Sequence, residues 1–204
     1  MFTMKNYDEL ASDDSIKKTV EKLVGNGIRV FVVNDKKEAQ KKVLEFIPPK
    51  SEVMTMTSVT LSEMWLDTLL NESNDYISIR HQLDNNSVEK IEKQRLWAAH
   101  EWVIWSVHAV TEDGKVVIAS ATWSQIPSYA YGAANVLWVV GTQKIVKNLE
   151  QALDRIYEYV FDLENARAMK AYGVGSWVNK ILIVNKEVTP GRIHIILVKE
   201  KLWY

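Results

Sequence analysis

Hydroxyls, amides and cations gather at a few places along this chain, and each is a strand end. EVMTMTSVTLSE (52–63) runs from an apolar strand through Thr57 and Ser58 into a helix start. N–H groups at a helix start, with hydroxyls beside them, bind phosphate or carboxylate. The plainer alternative is a capped helix with no ligand. ATWSQ (121–125) sets Thr122, Ser124 and Gln125 at a second strand end. Two hydroxyls and an amide there can fix a small polar ligand, or satisfy their own loop backbone. WVNKILIVNKEVTPGRIHIILVKE (177–200) puts Lys180 at a strand start and Arg192 just after Pro190-Gly191. Both can neutralise an anion, or be solvated strand ends. Thr57, Ser58, Thr122, Ser124, Gln125, Lys180 and Arg192 are therefore the ligand-binding candidates, and a small anionic metabolite is the ligand class.

Other chemistry finds less support. Glu112 and Asp113 form a carboxylate pair suited to acid–base work or a divalent metal. They lie in TEDG between two apolar runs, however, and Asp-Gly there reads as a hairpin turn. The four histidines, His81, His100, His108 and His194, have no zinc-helix spacing. His108 and His194 fall inside strand patterns, as orienting or core residues. Cysteine is absent, which removes thiolate zinc sites, cysteine-ligated clusters and cysteine nucleophiles carried by this chain. There is no Gly-x-Ser-x-Gly elbow, Walker loop or dinucleotide glycine fingerprint. No metal and no cofactor are expected, and no catalytic residue is assigned.

The elements that must position these groups follow from periodicity. Ile16, Val20, Leu23 and Val24 share one face of a helix over 13–24, ended by Gly25 and Gly27. IRVFVV (28–33) is a strand. Asn34 or Asp35 caps a helix stopped by Pro48 and Pro49. A strand (52–56) precedes Thr60-Leu-Ser-Glu63, a capping-box pattern opening a helix through Leu70. A short strand (76–80) and a helix (87–99) follow. WVIWSVHAV (102–110) and KVVIASA (115–121) form a hairpin. NVLWVVG (135–141) is a buried strand, and 148–173 the longest helix, ended by Gly173. Strands over 179–186 and 191–200 close the chain. This alternation predicts an α/β fold with a mixed, mostly parallel sheet covered on both faces. Ligands in such sheets bind beyond the carboxyl ends of the strands, which points to 56–60, 121–132 and 141–144.

The chain's 204 residues suit one domain over 1–204, with about residues 1–27 as an N-terminal helical segment. A net charge of −1 gives no basic footprint for nucleic acid or an anionic membrane. No apolar run is long enough to span a bilayer, and the polar, acidic start is unlike a secretory signal. A cytoplasmic location is expected. The count of 8 Trp against only 8 Gly is unusual, since glycine ordinarily makes up about 7% of a chain.

SVHAVTEDGKVVIASATWSQIPSYAYGAANVLWVVGTQKIV (106–146), with VNKILIVNKEVTPGRIHIILVKEKL (178–202), resembles the LUD domain family, the proteins similar to lactate utilisation protein C. The resemblance runs from about residue 50 to the C-terminus. It implies a three-layer α/β/α fold related to sugar-phosphate isomerases and CoA transferases. It also implies a non-cluster component of lactate or organic-acid utilisation, working with iron–sulfur partner proteins. A stand-alone enzyme on small phosphorylated or CoA-linked substrates is the alternative, as is a ligand-binding protein without chemistry. The family pattern carries glycine where this chain has Trp65, Trp97, Trp105, Trp123, Trp177 and Trp203, whereas Trp102 and Trp138 fit it. This implies six UGA codons, which some bacteria read as glycine and others as tryptophan. A tryptophan-rich variant is the alternative.

Overall fold

A computed structural model describes residues 6–55, 58–83, 88–122 and 124–204. Its helices start where the sequence supplies oxygen acceptors. Ser12 caps α1 (Asp13–Gly25), Asp35 caps α2 (Lys36–Phe46) and Asn148 caps α7 (Leu149–Arg155). Each side chain accepts a hydrogen bond from an N–H that the first turn leaves unpaired.

Six strands form a sheet in the order β1-β10-β7-β4-β2-β3. They are β1 (Arg29–Val33), β10 (Ile193–Val198), β7 (Asn135–Gly141), β4 (Trp102–Trp105), β2 (Glu52–Thr55) and β3 (Ile77–Ser78). All their pairings are parallel. Because side chains alternate along a strand, β10 sends Ile193, Ile195 and Leu197 to one face and Ile196 and Val198 to the other. The second face packs on α2 through Ala39 and Val43, and on α4 (Leu66–Glu72) through Leu66 and Leu70. The first packs on α1 through Ile16 and Leu23, and on α5 (Ile79–Leu83). The expected mostly parallel sheet flanked by helices is thus present.

The structure adds a second sheet that the sequence reading did not separate. Residues 102–110, read as one strand, divide into β4 and β5 (Ala109–Thr111). Ser106–His108 carry the chain from the large sheet into a four-stranded one ordered β8-β5-β6-β9. Its other members are β6 (Val116–Ser120), β8 (Ile145–Val146) and β9 (Lys180–Val184). The β5–β6 hairpin forms as expected, antiparallel through Ala109↔Val117. The two closing strands, consecutive in sequence, lie in different sheets: β9 pairs antiparallel with β6, and β10 lies between β1 and β7. Val110, Val116 and Ile118 face the large sheet, while Ala109, Val117 and Ala119 face the long C-terminal helix through Ala152 and Ile156. That helix comprises α7, a π-turn over Ile156–Val160 and α8 (Phe161–Tyr172).

TEDG is a turn, and its carboxylates are absorbed locally. Asp113 bonds the Thr111 hydroxyl and the Lys115 amine. Glu112 accepts from Ser15 Oγ and Lys18 Nζ, both at 2.8 Å, and so ties α1 to the hairpin. Gly114 has φ +85°, and a Cβ there would lie 2.7 Å from Asn26 Nδ2, so only glycine fits beside the end of α1.

The helix expected from Thr60 through Leu70 is broken. Ser58, not Thr60, caps a single turn, α3 (Val59–Ser62), by accepting from Leu61 N–H. Trp65 then adopts φ +56° and ψ +15° before α4 begins, with 70% of its surface exposed. A side chain in this left-handed region costs about 1–2 kcal/mol, and an exposed indole recovers little by packing. Glycine is what the family resemblance implies at this position. Trp65→Gly is therefore expected to stabilise the chain by about 1 kcal/mol, raising Tm by about 2–4 °C. Thermal unfolding checks this; an unchanged or lower Tm would mean that the indole contributes packing that outweighs the backbone cost.

Candidate functional site

Four parallel strands and one end of the hairpin converge on a cavity of about 370 Å³. Ser58 and Thr60 follow β2, Ser106–His108 follow β4, Lys144 follows β7, and Trp203 and Tyr204 follow β10. Ser120 to Thr122, Ser124 and Gln125 come from the end of β6, while Phe161, Glu164, Arg167 and Ala168 of α8 form the opposite wall. The site therefore lies beyond the carboxyl ends of the strands, where such sheets place ligands, and its size is that of a small-molecule site.

The inner end is polar and buried. Lys144 is fully buried at the end of the Thr142–Lys144 turn. Its Nζ donates to Ser106 Oγ at 3.0 Å and to the Val107 carbonyl at 3.1 Å, both neutral acceptors on the cavity wall. Burial pushes the Lys144 pKa well below the ordinary lysine value; the Arg155 charge adds to this and Glu63 opposes it. His108 accepts the Ala119 N–H at Nδ1, 3.1 Å away, so its neutral ring carries the proton on Nε2. Desolvation, with Lys144 and Arg155 nearby, lowers its pKa to about 3, which keeps the ring neutral. Beneath it, Arg155 is buried and donates from Nη1 to the His108 carbonyl at 2.6 Å. The backbone that carries His108 is thereby fixed.

Beside this end, Gln125 is buried and its Oε1 accepts from Ser120 Oγ at 3.0 Å and Ser124 Oγ at 3.4 Å. Its Nε2 donates to the Ala119 carbonyl at 3.4 Å, and Thr122 Oγ1 donates to Ser124 Oγ at 3.2 Å. Among the described lining residues Glu164 is the carboxylate, and it is already held. Arg167 bonds it through Nε and Nη2, both at 2.7 Å, and Tyr204 donates its hydroxyl at 2.8 Å.

Of the seven candidates from the sequence, Ser58, Thr122, Ser124 and Gln125 come together on this cavity. Thr57 lies outside the described residues. Lys180 is exposed at the start of β9, paired with Ser120 in the strand register, and does not line the cavity. Arg192 is neither a solvated strand end nor a cavity residue. It is buried against Glu187, with Nη1 to Oε2 at 2.6 Å. Its Nε reaches the Ala133 carbonyl at 3.0 Å, and Nη2 reaches those of Ser128 and Tyr129 at 3.0 and 2.8 Å. Its donors are spent on clamping the 128–133 segment. His194 is a core residue, packed against Phe46 and Trp102.

The tryptophans differ in burial, and the half-buried Trp97 and Trp105 pack against the core. Trp102 and Trp138, the two that fit the family pattern, are 7% and 0% exposed. Trp177 is 60% exposed and lines the cavity, as do Trp203 and the half-buried Trp105. Trp123 lies outside the described residues. Trp177→Gly and Trp203→Gly are expected to change stability by under about 1 kcal/mol and to admit larger organic acids. Calorimetric titration with acids of increasing chain length checks this; the same cut-off length in variant and parent would show that the indoles do not set the cavity's reach.

The LUD domain family model matches residues 16–198. The chain belongs to the LUD domain family. A crystal structure of a DUF162 family protein from Deinococcus radiodurans aligns with this LUD domain at a TM-score of 0.60 and 11% identity, covering 93% of this chain and 99% of that one. At that identity the likeness shows the fold alone. A D-ribose-5-phosphate isomerase in complex with phospho-erythronic acid aligns at a TM-score of 0.34 and 17% identity, over 62% of this chain and 66% of that one, too low a score to rest anything on. No curated protein matches the chain. Among the described residues, no group of three or more His, Asp or Glu is placed to hold a metal ion, and no helix of the LUD domain is long and apolar enough to cross a membrane.

Proposed function

We propose that this LUD-domain protein binds a small organic anion in the cavity and serves as a non-cluster component of an organic-acid oxidation system. The observation that carries the reading is the composition of the inner end. Lys144, the Ser120–Ser124–Gln125 group and the half-buried His108 surround one space. The lining carboxylate, Glu164, is neutralised by Arg167 and Tyr204. N–H and O–H groups lining a largely buried space favour an anion, because their dipoles act there at low dielectric. Electron transfer belongs to iron–sulfur partners in this reading, and this chain's part is to hold the acid.

Isothermal titration of the purified chain with lactate, pyruvate, inorganic phosphate and ribose 5-phosphate tests the binding. Saturable binding of the carboxylates at one site per chain is expected. Preference for the phosphorylated compounds, with turnover by the chain alone, would replace this reading with that of a stand-alone enzyme.

A further inference from the structure

We infer that Lys144 forms a reversible imine with the carbonyl carbon of a 2-oxo acid bound in this cavity. The inference rests on the anion-binding reading above and names the substrate class. Three observations carry it.

The first is the surroundings of the amine. Lys144 is 1% exposed, and the two acceptors that hold its Nζ, Ser106 Oγ and the Val107 carbonyl, are uncharged. An ammonium group out of water without a carboxylate at hydrogen-bond distance is disfavoured, which shifts the nitrogen toward the form that carries a lone pair. A lysine desolvated in a pocket beside another cationic group, here Arg155, has the environment of amine nucleophiles that attack carbonyls.

The second is position. Ser106 and Val107, which bracket the nitrogen, both line the cavity, so the amine sits at its wall and not in the core behind it. The third is the placement of the neighbours. Gln125 Nε2 has a second N–H beyond the one it gives the Ala119 carbonyl, and the hydroxyls of Ser120 and Ser124, which donate to Gln125 Oε1, can rotate to a carboxylate. His108 offers an Nε2–H whose tautomer is fixed by the Ala119 N–H. A 2-oxo acid has its carboxylate and its carbonyl on adjacent carbons, which fits one group for the anion and one nitrogen for the carbonyl.

The chemistry balances without a further reactant. The Lys144 nitrogen adds to the carbonyl carbon and the C=O π bond breaks toward oxygen. An amine proton moves to that oxygen, giving a carbinolamine, with the His108 N–H hydrogen-bonding to the oxygen. The remaining N–H proton then moves to the hydroxyl, the C–O bond breaks, one water leaves, and the nitrogen electron pair closes the C=N bond. Nothing is oxidised or reduced, and water reverses the sequence.

The experiment is reductive trapping on the full chain. Pyruvate is added with sodium borohydride, which reduces an imine to a stable secondary amine, and L-lactate, which has no carbonyl, serves as control. Intact mass and peptide mapping then locate the adduct. The expected result is one adduct per chain on the peptide holding Lys144, from pyruvate alone, and its loss when excess lactate competes. Adducts spread over exposed lysines at the level found for the urea-unfolded chain would overturn the imine. So would calorimetric binding of pyruvate with no adduct, and that outcome leaves the anion-binding reading standing. Failure of both pyruvate and lactate to bind would remove the two together. No variant is needed, so loss of folding cannot be confused with loss of the amine.

Discussion

Lys144→Met is expected to weaken binding of small carboxylic acids by about 100-fold while leaving the chain folded. The size follows from the setting. A hydrogen bond to a charged group contributes about 1.5–3 kcal/mol, which is roughly a tenfold to 150-fold change in affinity. Lys144 is fully buried, and an N–H that it gives Ser106 or Val107 would turn to the bound acid, a donor that water cannot replace without entering the cavity floor. Stability should change by about 1 kcal/mol or less. Methionine matches the length of the lysine stem, and the desolvation cost of the amine disappears, offsetting the hydrogen bonds lost by Ser106 and Val107. Calorimetric titration beside thermal unfolding separates the two effects. An affinity within a factor of two of the parent would show that the acid is held elsewhere.

Arg192→Leu should produce the largest loss of stability, about 3–5 kcal/mol, without touching the cavity. Arg192 and Glu187 are 8% and 10% exposed at the side chain. Removing the guanidinium strands a buried carboxylate and takes a donor from three carbonyls, those of Ser128, Tyr129 and Ala133. For a domain of this size that corresponds to a Tm lower by about 6–20 °C. The double variant with Glu187→Leu should recover part of the loss, because no charge is then left unpaired. The pair also sets a pH dependence. Burial pushes the Glu187 carboxyl up, but the Thr189 and Val188 N–H groups and the Arg192 guanidinium outweigh it and hold its pKa below the ordinary value. A carboxyl with a lowered folded-state pKa adds stability above its unfolded-state value of about 4.3, and that stability is lost as pH falls through the folded-state pKa. Unfolding followed from pH 7 down to pH 3 should therefore show an acid-side decline that is smaller in the double variant. An identical decline would assign it to other carboxylates.

Much of the architecture was legible in periodicity. The cap at Asp35, the Asp-Gly hairpin and the apolar runs of β7 and β10 are local features, and they form as read. The second sheet was not legible, because its strands come from four separated segments and its existence depends on where the chain turns at Ser106–His108. A continuous apolar run such as WVIWSVHAV carries no mark of a change of sheet, except the polar Ser106 and His108 in its middle. The helix break at Trp65 was hidden because an indole there does not announce a left-handed residue, as a glycine would.

The site was half legible. The strand-end rule selected 56–60, 121–132 and 141–144, and the last of these contains Lys144, the residue on which the account turns. The sequence offered no reason to single it out, since a lysine in TQKIV carries no mark of burial and only tertiary packing buries it. Arg192 failed as a candidate for the converse reason: three carbonyls and a carboxylate converge on it from segments distant in sequence. The signal that was available, and was read, is the polar cluster of ATWSQ.

The measurement that tests the central claim most directly is a crystal structure of the chain soaked with L-lactate. The account predicts the carboxylate inside the cavity, within hydrogen-bond distance of Lys144 Nζ or of the hydroxyl and amide groups of Ser120, Ser124 and Gln125. Lactate seen only at the surface, with the cavity holding water or closed by the Trp177 and Trp203 indoles, would contradict it.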